Sequence, residues 1–223
     1  QRGLIQKKQD LIIQFPTASG ALERFKVIEA STLHPDLSAK YGGIKSYAGQ
    51  GIDDPTAKIR FSVSQLGFHG MIRSGNKSTC FIDPYTSDKK YYIVYARKDI
   101  SDITSGFNCY TDEGEATPSK GNDNEKATDD KKLRQYRLAL SCNAEYGNIF
   151  AGSGTDAQKK ANILAQMNIT MTRVNGVYED DLAITLEIIA NNDDIIYYGD
   201  VNADPWSGEF NTATQIEIDN TIG

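Results

Sequence analysis

The chain of 223 residues is 39% hydrophobic and 24% charged, near the usual range for a globular protein, and its net charge is −6. No apolar run reaches the roughly 18 residues of a membrane helix, and an acidic total argues against a phosphate-binding surface, so a membrane span and a nucleic-acid partner are excluded. Two histidines and three cysteines leave too few soft ligands for a closed four-ligand zinc site built from them alone.

Gln1 is not an initiator Met and no basic-then-apolar leader follows it, so any secretory signal is expected to have been removed or to lie outside this sequence. Leu11 to Phe15 reads as a first strand, and Phe25 and Val27 mark a second. Thr32 to Asp54 is richer in Gly, Ser, Pro and Asp and reads as loop or short helix. Ile59, Phe61 and Val63 alternate with polar residues, as do Phe68, Gly70 and Ile72, the period of half-buried strands. Ser74-Gly75-Asn76 is turn chemistry, Cys80 and Ile82 alternate again, and Lys90 to Arg97 is dense enough in aromatic and β-branched residues to read as a buried strand. Residues 1–110 therefore predict an antiparallel β domain, a meander or sandwich. His34 precedes Pro35 in a loop, and His69, out of phase with Phe68, belongs on the opposite sheet face; neither stands at metal-ligand spacing.

Residues 111–132, TDEGEATPSKGNDNEKATDDKK, contain no aromatic or large aliphatic side chain. Such a stretch buries too little apolar area to offset roughly 1–2 kcal/mol of backbone entropy per ordered residue, so an exposed linker between domains is expected. Lys131, Lys132 and Arg134 close it, and exposed linkers are where proteases cut; the competing reading is that these cations only solvate the start of the next strand. Charge changes across the same segment. Residues 1–110 hold 15 Lys/Arg against 10 Asp/Glu, residues 111–132 hold 4 against 7, and residues 133–223 hold 5 against 13. Either the two halves expose different solvated surfaces, or the basic half docks on the acidic one.

Gln135 to Cys142 reads as a strand, Thr155-x-x-Gln158 as a capping box, and Ala157 to Tyr178 as a helix of about twenty residues with one apolar face. Asp181 to Ala190 follows as a largely apolar strand, completing a strand–helix–strand unit with parallel strands. Two strands and one long helix do not close an α/β core, so residues 133–223 read as the opening of a domain completed elsewhere. Asp200, Asn202 and Asp204 loosely match a calcium loop, but Asn211 stands where the bidentate Glu belongs, which makes an Asx-rich turn the simpler reading.

RQYRLALSCNAEY, KANILAQMNITMTRVNGVYEDDL, AITLEIIANNDDIIYY and the DPW and FNTATQ segments resemble the start of a reprolysin-like metzincin, a secreted bacterial zinc metallopeptidase related to the adamalysins. GIDDPTAKIRFSVSQLGFHGMI, FIDPY and YYIVYARKD resemble the pro-domain of such enzymes. The resemblance implies an α+β chain in which an antiparallel β pro-domain precedes the first strand–helix–strand part of a metzincin-like α/β catalytic domain. It implies a secreted, zinc-dependent endopeptidase precursor kept latent until an activating protease cuts the linker, with protein or peptide substrates and the remainder of the catalytic domain as partners. The HExxHxxGxxH zinc helix is absent, since Pro35 follows His34 and Gly70 follows His69, so zinc ligands are expected downstream and this chain alone is not expected to hydrolyse peptides. Cys109, just before the linker, is the candidate thiol that would plug the zinc; a buried or inert thiol is the competing reading. The rival functional reading is a non-enzymatic secreted interaction or protease-inhibitory module, motivated by the missing catalytic residues. A sugar platform on Tyr91, Tyr92 and Tyr95 is a third.

Overall fold

The computed structural model describes residues 11–100, 131–206 and 220–222. Seven antiparallel strands form one sheet in simple chain order: β1 (Leu11–Pro16), β2 (Leu22–Glu29), β3 (Lys45–Gly51), β4 (Lys58–Ser64), β5 (Gly67–Arg73), β6 (Cys80–Pro84) and β7 (Tyr92–Ala96). The alternation read from the sequence sets its two faces. Phe15, Phe25, Ile59, Phe61, Ile72 and Ile82 fill the inside of the curled sheet, joined by Phe68 and Val94. The Phe61 ring lies 5.1 Å from that of Phe15 and 5.2 Å from that of Phe68, so aromatic packing closes the curl. Ser62 pairs with His69 in the β4–β5 register, which puts His69 on the outer face, as its phase predicts.

Two readings of this half change. The Gly- and Ser-rich stretch after Thr32 holds the short helix expected as one of its two readings, α1 (Pro35–Lys40), but also a full strand, β3, which was not expected. Gly49 disguised that strand, yet a Cβ there would lie 2.7 Å from Ile59 Cγ2, so the close packing of β3 on its neighbours calls for glycine. The Tyr-rich segment is β7, an edge strand and not a buried one: Tyr91 and Tyr92 are exposed, and only Ala96 at its end is buried. Aromatic density raises strand propensity without deciding burial.

Residues 131–206 form the strand–helix–strand unit. β8 (Arg134–Leu138) and β9 (Ile184–Ile188) pair in parallel, with α2 (Ala144–Ala151) and α3 (Asp156–Asp181) between them. α2 is absent from the sequence reading because it is short. Its Asn143 cap accepts from the Tyr146 amide at 3.1 Å. α3 starts at the expected capping box, with Thr155 and Gln158 bonded reciprocally, and runs to 26 residues. It is buried on two sides rather than one. Ile163, Leu164, Met167 and Met171 enter an apolar cluster with Ala151 and Ile188, while Asn168, Thr172 and Gly176 turn toward the outer face of the sheet.

The apolar cluster is completed from the first half of the chain. Leu33, Leu37 and Ile44, from the connection between β2 and β3, lie in it at 2%, 0% and 2% exposure. The α/β unit, with two paired strands among the described residues, thus has an interior that the first half of the chain helps to fill.

Candidate functional site

Polar chemistry concentrates along the seam where α3 crosses the outer face of the sheet. Alternating strands put Ser46 on β3, Arg60 and Ser62 on β4, His69 and Arg73 on β5, and Asp83 on β6 on that face, and α3 presents residues to them at helical spacing.

At one end, Asp83 accepts three charged or polar donors. His69 Nδ1 lies 2.7 Å from its Oδ1, Arg173 Nη2 donates to the same oxygen at 2.5 Å, and Tyr95 donates to Oδ2 at 2.7 Å. Burial would push the Asp83 carboxyl up, but these partners outweigh it and hold the carboxyl below its ordinary range. With the carboxylate ionised, Nδ1 is the protonated ring nitrogen. Burial and the carboxylate push the Tyr95 phenol up to about 12. Arg173 also lies over the Phe81 ring, 5.3 Å from its centroid. Four elements therefore meet on one carboxylate: β5, β6, β7 and α3.

In the middle, Thr32 Oγ1 and Ser46 Oγ reach Asn168 Oδ1 at 2.5 and 2.9 Å, and Ser46 Oγ and Thr172 Oγ1 are 2.9 Å apart. All four residues are buried, whereas Asn168 Nδ2, Ser62 Oγ and Arg173 Nε find no partner among the described residues. At the far end the pairs are ionic. Arg60 bonds Glu179 and Lys58 bonds Asp180; Arg73 reaches Asp180 at 3.2 Å and Asp181 at 3.1 Å. Basic side chains of the sheet thus meet acidic ones of α3, as the docking reading of the charge asymmetry requires, while Arg173 with Asp83 reverses the polarity. A groove of about 510 Å³ opens beside these pairs, lined by Ile28, Lys58, Met71 and Leu133 among others.

A second cluster lies at the base of α1. Lys40 and Tyr41 both bond Asp193 Oδ2, Tyr41 at 2.9 Å, and Lys160 donates to the Asp193 carbonyl at 2.6 Å. Burial opposes ionisation of Asp193, but the Lys40 and Tyr41 bonds hold its carboxyl below the ordinary range.

The residues singled out from sequence lie apart from one another. His34 caps α1, its Nδ1 accepting from the Asp36 amide at 3.2 Å, far in role from the His69 clamp. Cys80 and Cys142 are buried free thiols, and burial pushes Cys142 up to about 11. Cys109 lies outside the described residues, as does most of segment 111–132. Lys131 and Lys132 are exposed ahead of β8, whereas Arg134 belongs to that strand, its amide donating to the Ala183 carbonyl at 2.9 Å. Asp200 Oδ1 accepts from the Asn202 amide at 2.9 Å, and Asp204 takes the Ala144 and Trp206 amides at 2.6 and 2.9 Å, an Asx-rich turn whose oxygens are engaged by the backbone. Among the described residues no group of three or more His, Cys, Asp or Glu side chains is placed to hold a metal.

The seam residues Asp83, Arg173, Thr32, Ser46 and Asn168 were not anticipated. Their partners stand up to 136 positions away, and Asp83 before Pro84 reads locally as a turn. Comparison of the chain with protein-family models, with curated proteins and with solved structures finds no match in any of the three.

Proposed function

We propose that the chain is the N-terminal part of a secreted zinc metalloendopeptidase precursor of the reprolysin-like metzincin kind. Residues 1–110 act as the pro-domain and residues 133–223 open the catalytic domain. The reading rests on the resemblance of extended segments in both halves. The observation that carries it is the seam itself: a β module is held on the strand–helix–strand unit by complementary charge and buried polar bonds, and the two are joined through a segment whose Lys131–Lys132 end is exposed. Interfaces that later part are richer in such polar contacts than permanent ones.

The described residues do not fit a catalytic zinc, because His34 caps a helix and His69 is bonded to Asp83. No hydrolytic step is therefore assigned to side chains of this chain; its part is to hold the first half on the second and to present the cleavable junction. Lys131, Lys132 and Arg134 together are the candidate junction; Lys131 and Lys132 are exposed ahead of β8, and Arg134 is its first residue.

The test is expression of the complete precursor from its gene. An HExxH helix downstream of Gly223, and chelator-sensitive peptide hydrolysis that appears on cleavage at Lys131, Lys132 or Arg134, are expected. A gene without that helix would overturn the proposal. So would inhibition of an added protease by the uncleaved chain, which is the behaviour of an inhibitory module.

A further inference from the structure

We infer that Thr32–Ile44 is an anchor which keeps the two halves together after the chain between them is cut, so that cleavage alone does not release the β module. The inference concerns the halves present here and holds whether or not a zinc helix follows.

The outer edge of β9 would otherwise expose backbone groups, and this connection covers them. Ile188 donates to the Thr32 carbonyl and its own carbonyl accepts from the His34 amide, both at 2.8 Å, while Leu33 forms a parallel bridge with Ile188. One step back along the same edge, Leu186 exchanges bonds with the Asn175 side chain at 2.8 and 3.0 Å. The connection thus completes a sheet edge and then delivers apolar side chains, two devices by which a peptide segment docks on another protein. Leu33, Leu37 and Ile44 enter the cluster of Ile163, Leu164 and Met167, and Lys40 and Tyr41 close the rim on Asp193.

The anchor differs in kind from the rest of the seam. Ion pairs at Asp180, Asp181 and Glu179 are partly solvated and weaken with salt, whereas apolar burial is insensitive to it or strengthened by it. Salt therefore separates the two contributions without any mutation.

The experiment introduces a site-specific protease sequence into segment 111–130 of the full chain, cuts it under native conditions, and passes the product over a sizing column at low salt and at 1 M NaCl. Co-elution of both fragments at both salt concentrations is expected. Separation at 1 M NaCl would overturn the inference by assigning retention to the ion pairs. In the same format Leu37→Ala is expected to speed fragment dissociation by roughly 30-fold or more, the consequence of removing a fully buried leucine. An unchanged rate in a variant whose circular dichroism matches the parent would also overturn it. If that variant fails to fold, Leu33→Val and the salt comparison decide.

Discussion

Asp83 shows how much one side chain carries. Its carboxylate joins His69, Tyr95 and Arg173, so removing its charge leaves the Arg173 guanidinium, whose buried Nε already has no partner among the described residues, without a counter-ion, and puts an amide donor where one carboxylate oxygen accepted. Asp83→Asn is expected to lower stability by about 2 kcal/mol, read from urea unfolding, because an uncompensated partly buried charge costs more than the pair contributes. The pH dependence follows from the direction of the shift. A carboxyl held below its ordinary range binds its proton more weakly folded than unfolded, so its stabilisation is complete above the unfolded value of about 4 and is lost as pH falls through the lower folded value. Asp193 behaves in the same sense. The urea midpoint of the parent should fall in this acid window, and Asp83→Asn should flatten that fall. An equal acid slope in both proteins would show that the clamp does not govern it. Gly147 gives a steric counterpart: a Cβ there would lie 2.0 Å from the Tyr197 carbonyl oxygen, which is backbone and cannot swing away. Gly147→Ala should therefore destabilise by about 2–3 kcal/mol despite the ~1 kcal/mol gain in helix propensity, checked by thermal unfolding.

At the scale of elements, local chemistry was legible wherever it was periodic or terminated by a strong signal. The β4 and β5 alternation, the turn after Arg73 and the Thr155–Gln158 box each act within a few residues, and each element stands close to where the pattern puts it. Thr155→Ala should cost about 1 kcal/mol, since the N-terminal amides of α3 would lose a side-chain acceptor; an unchanged melting temperature would count against the box as a stabilising feature. β3 and α2 escaped notice for opposite reasons. β3 carries small residues because its neighbours approach closely, and α2 is eight residues long and held by its cap and by contacts to residues 197–199. The seam was illegible for a third reason: Asp83, Arg173 and Asn168 look like ordinary solvent-facing residues until strand order and helix placement bring their partners to them.

For the whole molecule, the described halves are bound into one mechanical unit. α3 lies between the outer face of the sheet and an apolar cluster that contains residues from both halves. Cooperative unfolding follows, because loss of the α/β cluster removes Leu33, Leu37 and Ile44 from cover and loss of the sheet strips α3 of its polar partners. Fluorescence of Trp206, the chain's one tryptophan, and far-ultraviolet circular dichroism should report one coincident transition; two separated transitions would show that the halves are stabilised independently. The two histidines and the acidic total bounded the chemistry from the outset, and composition and periodicity by themselves determined an antiparallel β half and a parallel strand–helix–strand half, while the charge asymmetry left open whether the two surfaces meet or only face water. Those features depend on residues within a turn or two of each other, or on sums over many. Only the tertiary structure decided that the β2–β3 connection fills the second half's core and that one carboxylate ties four elements together. The first set of contacts joins positions more than a hundred residues apart and Arg173 reaches Asp83 across 90, and no local propensity encodes which distant side chain will arrive.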